Sequence, residues 1–243
     1  EAMAKAAVDA EFRTVMCGAV NNFKESPALL EEYYNTYNNY HPLVSYQLGF
    51  HAEYTTNRPI MEAIAALAEK YKAPVYMHAS ETESEVQDCI GRYGMNAGSN
   101  AKLASGIAPV EKMLQMGIPL AVGTDGPSSN NALDMFREMY LICVLQKLRE
   151  KNAAAADANA ILKAATAGSA RCMGLPVADC IAPGKLADLT VIDLHRPNMQ
   201  PINNITKNLV YSGAKTNVRL TMVDGRILYE NGRFLNTDTD EIY

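Results

Sequence analysis

Four short apolar runs, at 12–20, 43–50, 74–79 and 119–125, each end in a polar loop, and residues with helical spacing follow. Buried strand, loop and amphipathic helix in repetition imply a parallel sheet covered by helices. Parallel neighbours need a crossover long enough to hold a helix. The spacing predicts the end of a helix over 1–10 and helices over 27–40, 59–71, 82–93, 107–117, 131–150 and 153–174. Pro59 suits a first turn and Gly117 a helix end. From about Pro183 the pattern changes. PGKLADLTVIDL, TNVRLTMVDGR and GRILYENGRF read as short strands joined by Asp-Gly and Asn-Gly turns, a small antiparallel β module. The expected division is therefore 1–182, an α/β domain, and 183–243, the β module. Four strand–helix units cannot close a βα barrel, which takes eight, and an unclosed parallel sheet leaves edges open. Either the sheet is small and open, or part of a barrel is absent from this sequence.

The 48% hydrophobic and 20% charged residues are enough to build a core, which excludes disorder for most of the chain. Lys and Arg number 22 against 27 Asp and Glu, and the resulting mild, interspersed negative charge argues against nucleic acid or an anionic membrane as main partner. No apolar run approaches the ~18 residues of a membrane span. The first residues lack the basic stretch and apolar core of a secretory signal, and they open inside an amphipathic pattern without Met, as in a chain whose start lies upstream. The five cysteines form no C-x-x-C pair, so neither a disulfide framework nor a cysteine zinc site is expected, and a reducing cytoplasm fits.

Chemistry in such sheets gathers at the strand C-termini. Three polar clusters fall there: His51, then His78 to Glu81 (HASE), then Thr124 to Asn130 (TDGPSSN). Taken singly, each has an ordinary reading. A lone histidine is usually a hydrogen-bonded structural residue, and Asp125 in a glycine-flanked loop is an Asx turn or a helix cap. His78 is the more telling, because it ends an apolar strand and Glu81 follows three residues later. His41 and His195 have no assigned role. Met113, Met116, Met135 and Met139 read as core filler.

Taken together, the runs GFHAEYTT, PVYMHASETESEV, GSNAKLASGIAPVEKMLQMGIPLAVGTDGPSSNNALDMFREM, ATAGSARCMGL and PGKLADLTVIDL resemble the amidohydrolase superfamily. The likeness is to its cytosine deaminase and chlorohydrolase-like branch, with the long central run most like the 5′-methylthioadenosine/S-adenosylhomocysteine deaminases. The resemblance implies a (β/α)8 TIM barrel, incomplete in this sequence, with a small β-sandwich module. It implies one divalent metal ion, zinc or else iron, held by an H-x-H pair, a further histidine and an aspartate. His78 and Asp125 match the last two. The resemblance makes Asp125 the base that takes a proton from the attacking water, and Glu81 the proton carrier to the ring nitrogen and leaving ammonia. It sets His51, Glu81, Arg13 and Ser129 around the substrate, and leaves Asn130, Asn131 and Glu138 to organise the loop. The implied activity is deamination of an adenine nucleoside (methylthioadenosine, adenosylhomocysteine or adenosine). A guanine, cytosine or triazine hydrolase of the same branch, or a non-catalytic remnant of the fold, is the alternative. A homo-oligomer, dimer or larger, is also implied.

The sequence departs from that pattern twice. No H-x-H occurs in it, and between Glu81 and SNAKLASGIAP, where the family has roughly two more βα units, the chain runs straight on. Two of four metal ligands remain, too few for a tight zinc site. Three explanations stand at this point. The sequence joins parts of a longer chain, it is a genuine fragment, or a partner chain supplies the missing groups. The first is favoured, because excising two barrel units would expose a large apolar interior.

Overall fold

The computed structural model describes residues 1–79, 107–128 and 130–241. The expected helix 82–93, together with Glu81 and Ser129, lies outside them. The chain forms two compact units, Glu1–Asn96 and Ala97–Tyr243, each described by itself.

In the first unit, β1 (Thr14–Cys17), β2 (Val44–Ala52) and β3 (Val75–His78) make a parallel sheet in the order β1-β2-β3. These are three of the four apolar runs, and β2 and β3 stop at the polar loops. Thr14 pairs with Val44 and Leu48 with Val75; the β2–β3 register then slips, so that Ala52 rather than His51 stands opposite His78. Such an irregularity bends a strand locally and re-aims its side chains. Helices α1 (Ala2–Asp9), α2 (Pro27–Tyr37) and α3 (Arg58–Tyr71) accompany the sheet. Ser26 caps α2 by accepting from the Leu29 N–H at 3.2 Å, and Asn57 caps α3 by accepting from the Ile60 N–H at 3.1 Å. Leu30 of α2 and Ile64 of α3 bury themselves with Tyr46, Leu48 and Phe50 of β2. β2 is thus the central strand, covered by apolar side chains.

In the second unit, α4 (Val110–Gln115), α5 (Met135–Glu150) and α6 (Ala158–Lys163) precede a π-helical turn, Ala164–Gly168, which runs into α7 (Ser169–Cys172). Asp134 and Asp157 cap α5 and α6. Met139, Cys143, Ala158, Ile161 and Val210 form the core between them. Gln146 is buried and clips α5 to the entry of α4. Its Oε1 accepts from the Glu111 N–H at 3.1 Å and its Nε2 donates to the Ala108 carbonyl at 2.6 Å. Gln146→Leu keeps the volume but strands both backbone groups. It should lower the unfolding free energy by about 2–4 kcal/mol, read as a lower denaturant midpoint at unchanged slope.

β4 (Leu189–Ile192), β5 (Val218–Val223), β6 (Arg226–Glu230) and β7 (Arg233–Phe234) form one antiparallel sheet in chain order, inside the second unit. Both expected turns are present. Asp224 and Gly225 have φ of 51° and 80°, and Asn231 and Gly232 have 49° and 89°. A two-residue hairpin needs positive φ at both positions, which Asp-Gly and Asn-Gly tolerate. Asp179 sits ahead of this sheet between Lys185 Nζ (2.8 Å) and Arg171 Nη2 (3.0 Å). Lys185 first and Arg171 second hold its carboxyl down to about 2, from an ordinary 3.8. The folded-state value is depressed, so the stabilisation is complete above about pH 4 and is lost as pH falls toward 2. Asp179→Asn should remove that part of the acid sensitivity in a pH series of melting curves.

Two expectations differ from the structure. Helix α8 (Ile205–Ser212) lies where only strands and turns are expected. Its sequence, ITKNLVYS, is rich in β-branched residues with modest helix propensity. Asn204 nevertheless caps it at the Lys207 N–H (2.9 Å), and Val210 is fully buried against α5 and α6. The run 119–125 forms no strand ladder among the described residues. A ladder needs a neighbouring strand. Here the backbone turns to a helix instead: the Val122 N–H donates to Ser169 Oγ at 3.2 Å, and that oxygen also lies within 3.2 Å of the Val122 carbonyl and 2.9 Å of the Ala164 carbonyl. Gly168 permits this approach, since a Cβ there would run into the Leu120 carbonyl oxygen. Among the described residues no helix is long and apolar enough to cross a membrane.

Candidate active site

His51 is the penultimate residue of β2 and His78 the last of β3. Because the strands are parallel, both imidazoles stand at the same end of the sheet, the C-terminal one. Their ring centroids are 5.2 Å apart with planes at 71°, an edge-to-face contact. Tyr54 also meets the His51 ring, with centroids 5.9 Å apart and planes at 80°. Beyond β2 the chain makes a 3-10 turn, Glu53–Thr55, which brings Thr55 Oγ1 to 2.9 Å from His51 Nδ1. His51 is half-buried and His78 exposed, so the sheet presents one anchored imidazole beside one open to solvent.

Asp125 lies in the second unit and adopts φ of 60°. A left-handed backbone is uncommon for a residue other than glycine, and such conformations concentrate at functional loops. The loop around it is cross-tied. Asp125 Oδ1 accepts from the Gly126 N–H at 2.6 Å. Asn130 Nδ2 donates to the Thr124 carbonyl at 2.8 Å and to Glu138 Oε1 at 2.7 Å. The Asn130 N–H donates to the Gly126 carbonyl at 2.9 Å. Asn130 and Glu138 thus hold the loop to α5, in the organising role expected of them. The Asp125 contact reaches only the next residue, and Pro127 has no N–H to complete an Asx turn, so Asp125 does not make the turn of the ordinary reading.

The structure therefore brings His51 and His78 together. Arg13 is elsewhere. It precedes the first residue of β1 and its Nη1 donates to the Pro42 carbonyl at 3.1 Å. By the register of β1 on β2, that is the N-terminal end of the sheet, eight residues or about 26 Å of strand from His51. Arg13 is thus at the opposite end of this sheet from the imidazoles. Thr55 and Tyr54 were not singled out from the sequence. The signal was there in GFHAEYTT, a threonine four residues after the histidine, but it acquires meaning only once the tight turn is known.

An imidazole and a carboxylate are suitable donors for a divalent metal such as zinc, and His78 and Asp125 are of the right kind. Their number falls short. Catalytic zinc takes three protein ligands and a water, and among the described residues no group of three or more His, Cys, Asp or Glu is placed to hold a metal ion.

The model of the amidohydrolase family matches residues 95–228, more than half of the chain. A 5-methylthioadenosine/S-adenosylhomocysteine deaminase of Nitratidesulfovibrio vulgaris is 38% identical over 229 residues, covering 77% of this chain and 52% of that protein. The protein of the same name from Desulfovibrio desulfuricans is 34% identical over 260 residues, covering 90% of this chain and 58% of its own length. An alignment of 260 positions is longer than the 243 residues available, so that relative has internal residues this chain lacks. The chain spans about half the length of the curated relatives it matches. A solved adenosine deaminase from Xanthomonas campestris with bound zinc superposes with a TM-score of 0.90 at 27% identity, over 98% of this chain and 66% of that one. On the matched family model, the chain belongs to the amidohydrolase family.

Proposed function

We propose that the protein is a metal-dependent hydrolytic deaminase of an adenine nucleoside: methylthioadenosine, adenosylhomocysteine or adenosine. The observation that carries this reading is the pair of imidazoles, His51 and His78, meeting at the C-terminal ends of adjacent parallel strands. The similarity to deaminases supports the substrate class. His78 and Asp125 would hold the metal, zinc before iron, with the H-x-H pair that this sequence lacks completing the ligand set. When bound, the metal lowers the pKa of a coordinated water from about 15.7 to about 7 and so supplies the nucleophile at neutral pH.

The side chains do the rest. Asp125 takes the proton released by the attacking water. Glu81 delivers its proton to the ring nitrogen, takes the second proton of the water from the hydroxyl now on the amine-bearing carbon and passes it to the departing amine; the proton held by Asp125 then restores Glu81. The water oxygen bonds to the amine-bearing carbon, the C–N bond breaks, and ammonia and the 6-oxo purine leave. His51 and Ser129 contact the substrate. The protein works in the cytoplasm as a dimer or larger homo-oligomer.

Ammonia release measured across adenosylhomocysteine, methylthioadenosine, adenosine, guanine, cytosine and triazines tests the reading, with metal content and intact mass determined on the same protein. Turnover of adenine nucleosides but not guanine is expected. Release from guanine, cytosine or a triazine alone overturns the substrate class. Metal-free protein inactive on all of them overturns the enzyme and leaves the remnant.

A further inference from the structure

We propose that Thr55 is a positioning residue: its hydroxyl fixes His51 as the Nδ1–H tautomer, so that Nε2 offers a lone pair to a hydrogen-bond donor of the substrate. This rests on the reading of His51 as a substrate-contacting residue.

The argument is a count of protons. Thr55 Oγ1 lies 3.1 Å from the Ala52 carbonyl oxygen and 2.9 Å from His51 Nδ1. A hydroxyl has one proton to give and lone pairs to accept with. The carbonyl can only accept. If the proton went to His51, two lone-pair-bearing oxygens would face each other at hydrogen-bonding distance with nothing between them. The proton therefore goes to Ala52, and Oγ1 accepts from His51. That requires the hydrogen on Nδ1 and leaves Nε2 bare in the neutral ring.

The surroundings hold Thr55 in that task. Its own carbonyl accepts from the Asn22 N–H at 2.9 Å, which ties the turn back to the loop after β1. Thr56 Oγ1 donates to the same Ala52 carbonyl at 2.8 Å, so that oxygen accepts two hydroxyl protons, one for each lone pair. Tyr54 and His78 meet the His51 ring edge-to-face and limit its swing. A neutral His51 so fixed accepts at Nε2 and cannot donate there. It selects ligands with a hydroxyl or amino hydrogen at that point, such as the sugar of a nucleoside, over ligands that present only an acceptor.

Nitrogen-15 NMR of histidine-labelled protein reads the tautomer directly, and the chain has four histidines, so substitution of each assigns the signals. At about pH 8.5, above the usual imidazole range, His51 should show a protonated Nδ1 and a bare Nε2. Thr55→Val keeps the branched shape and removes the hydroxyl. It should move His51 toward the Nε2–H form and raise KM for the nucleoside about tenfold, the value of one hydrogen bond, with a smaller change in kcat. Thr55→Ser should restore both signals. A wild-type His51 carrying its proton on Nε2, or a tautomer unchanged in Thr55→Val, overturns the proposal. Failure of the deaminase reading looks different: the wild-type protein turns over no nucleoside while the tautomer is as stated.

Discussion

Asp125→Asn should leave the protein folded and reduce turnover by about 10³-fold or more, with bound metal lost in parallel. Asparagine suits the position structurally. It keeps an Oδ1 to accept from Gly126, and it is among the residues that best tolerate the φ of 60° found there. The ties from Asn130 to Thr124 and Glu138 do not involve the carboxylate at all. What the substitution removes is the negative charge and the proton acceptor. A retained cooperative melting transition, lowered by no more than metal removal lowers that of wild type, combined with a collapse of kcat and of metal content by elemental analysis, is the expected set of results. Turnover within tenfold of wild type would remove Asp125 from the mechanism.

Glu81→Gln should separate the other half of the chemistry. The amide is nearly isosteric with the carboxylate and is not proposed as a metal ligand, so metal content should hold. Proton delivery to the ring nitrogen and leaving ammonia should fail, at a cost of about 10²–10⁴-fold in kcat with KM much less affected. Retention of near-normal kcat would show that another group carries the proton. Measuring both variants on the same preparations distinguishes loss of metal from loss of acid–base catalysis.

Much of the first unit was readable in the sequence because its strands are buried and short, and their ends are marked by abrupt polarity. GFHAEYTT and PVYMHASE give both the strand and the point at which it stops, and His51 and His78 stand at those points. The hairpins after β5 and β6 were equally legible, since few residue pairs other than Asp-Gly and Asn-Gly accept left-handed backbone twice in succession. What the sequence left illegible depends on relations between distant segments. Arg13 is set beside the substrate by the resemblance alone; strand direction decides which end of the sheet a flanking residue joins, and Arg13 comes before β1, at the end away from His51. Helix 205–212 depends on Val210 finding a buried place, a fact of tertiary packing that local propensity cannot report. The run 119–125 has the composition of a strand, yet a strand is a relation between two segments, and its backbone found Ser169 instead.

That last contact has a reach beyond its size. The stretch leading to Asp125 rests on a helix through one hydroxyl, with a bare hydrogen on the α-carbon next to it where any other residue would put a methyl or more. Drift at 168 or 169 would thus be felt not as a weakened helix but as a misdirected carboxylate several residues away. Two small, uncharged positions thereby become gatekeepers of aim, and a survey of variants confined to charged side chains would overlook them.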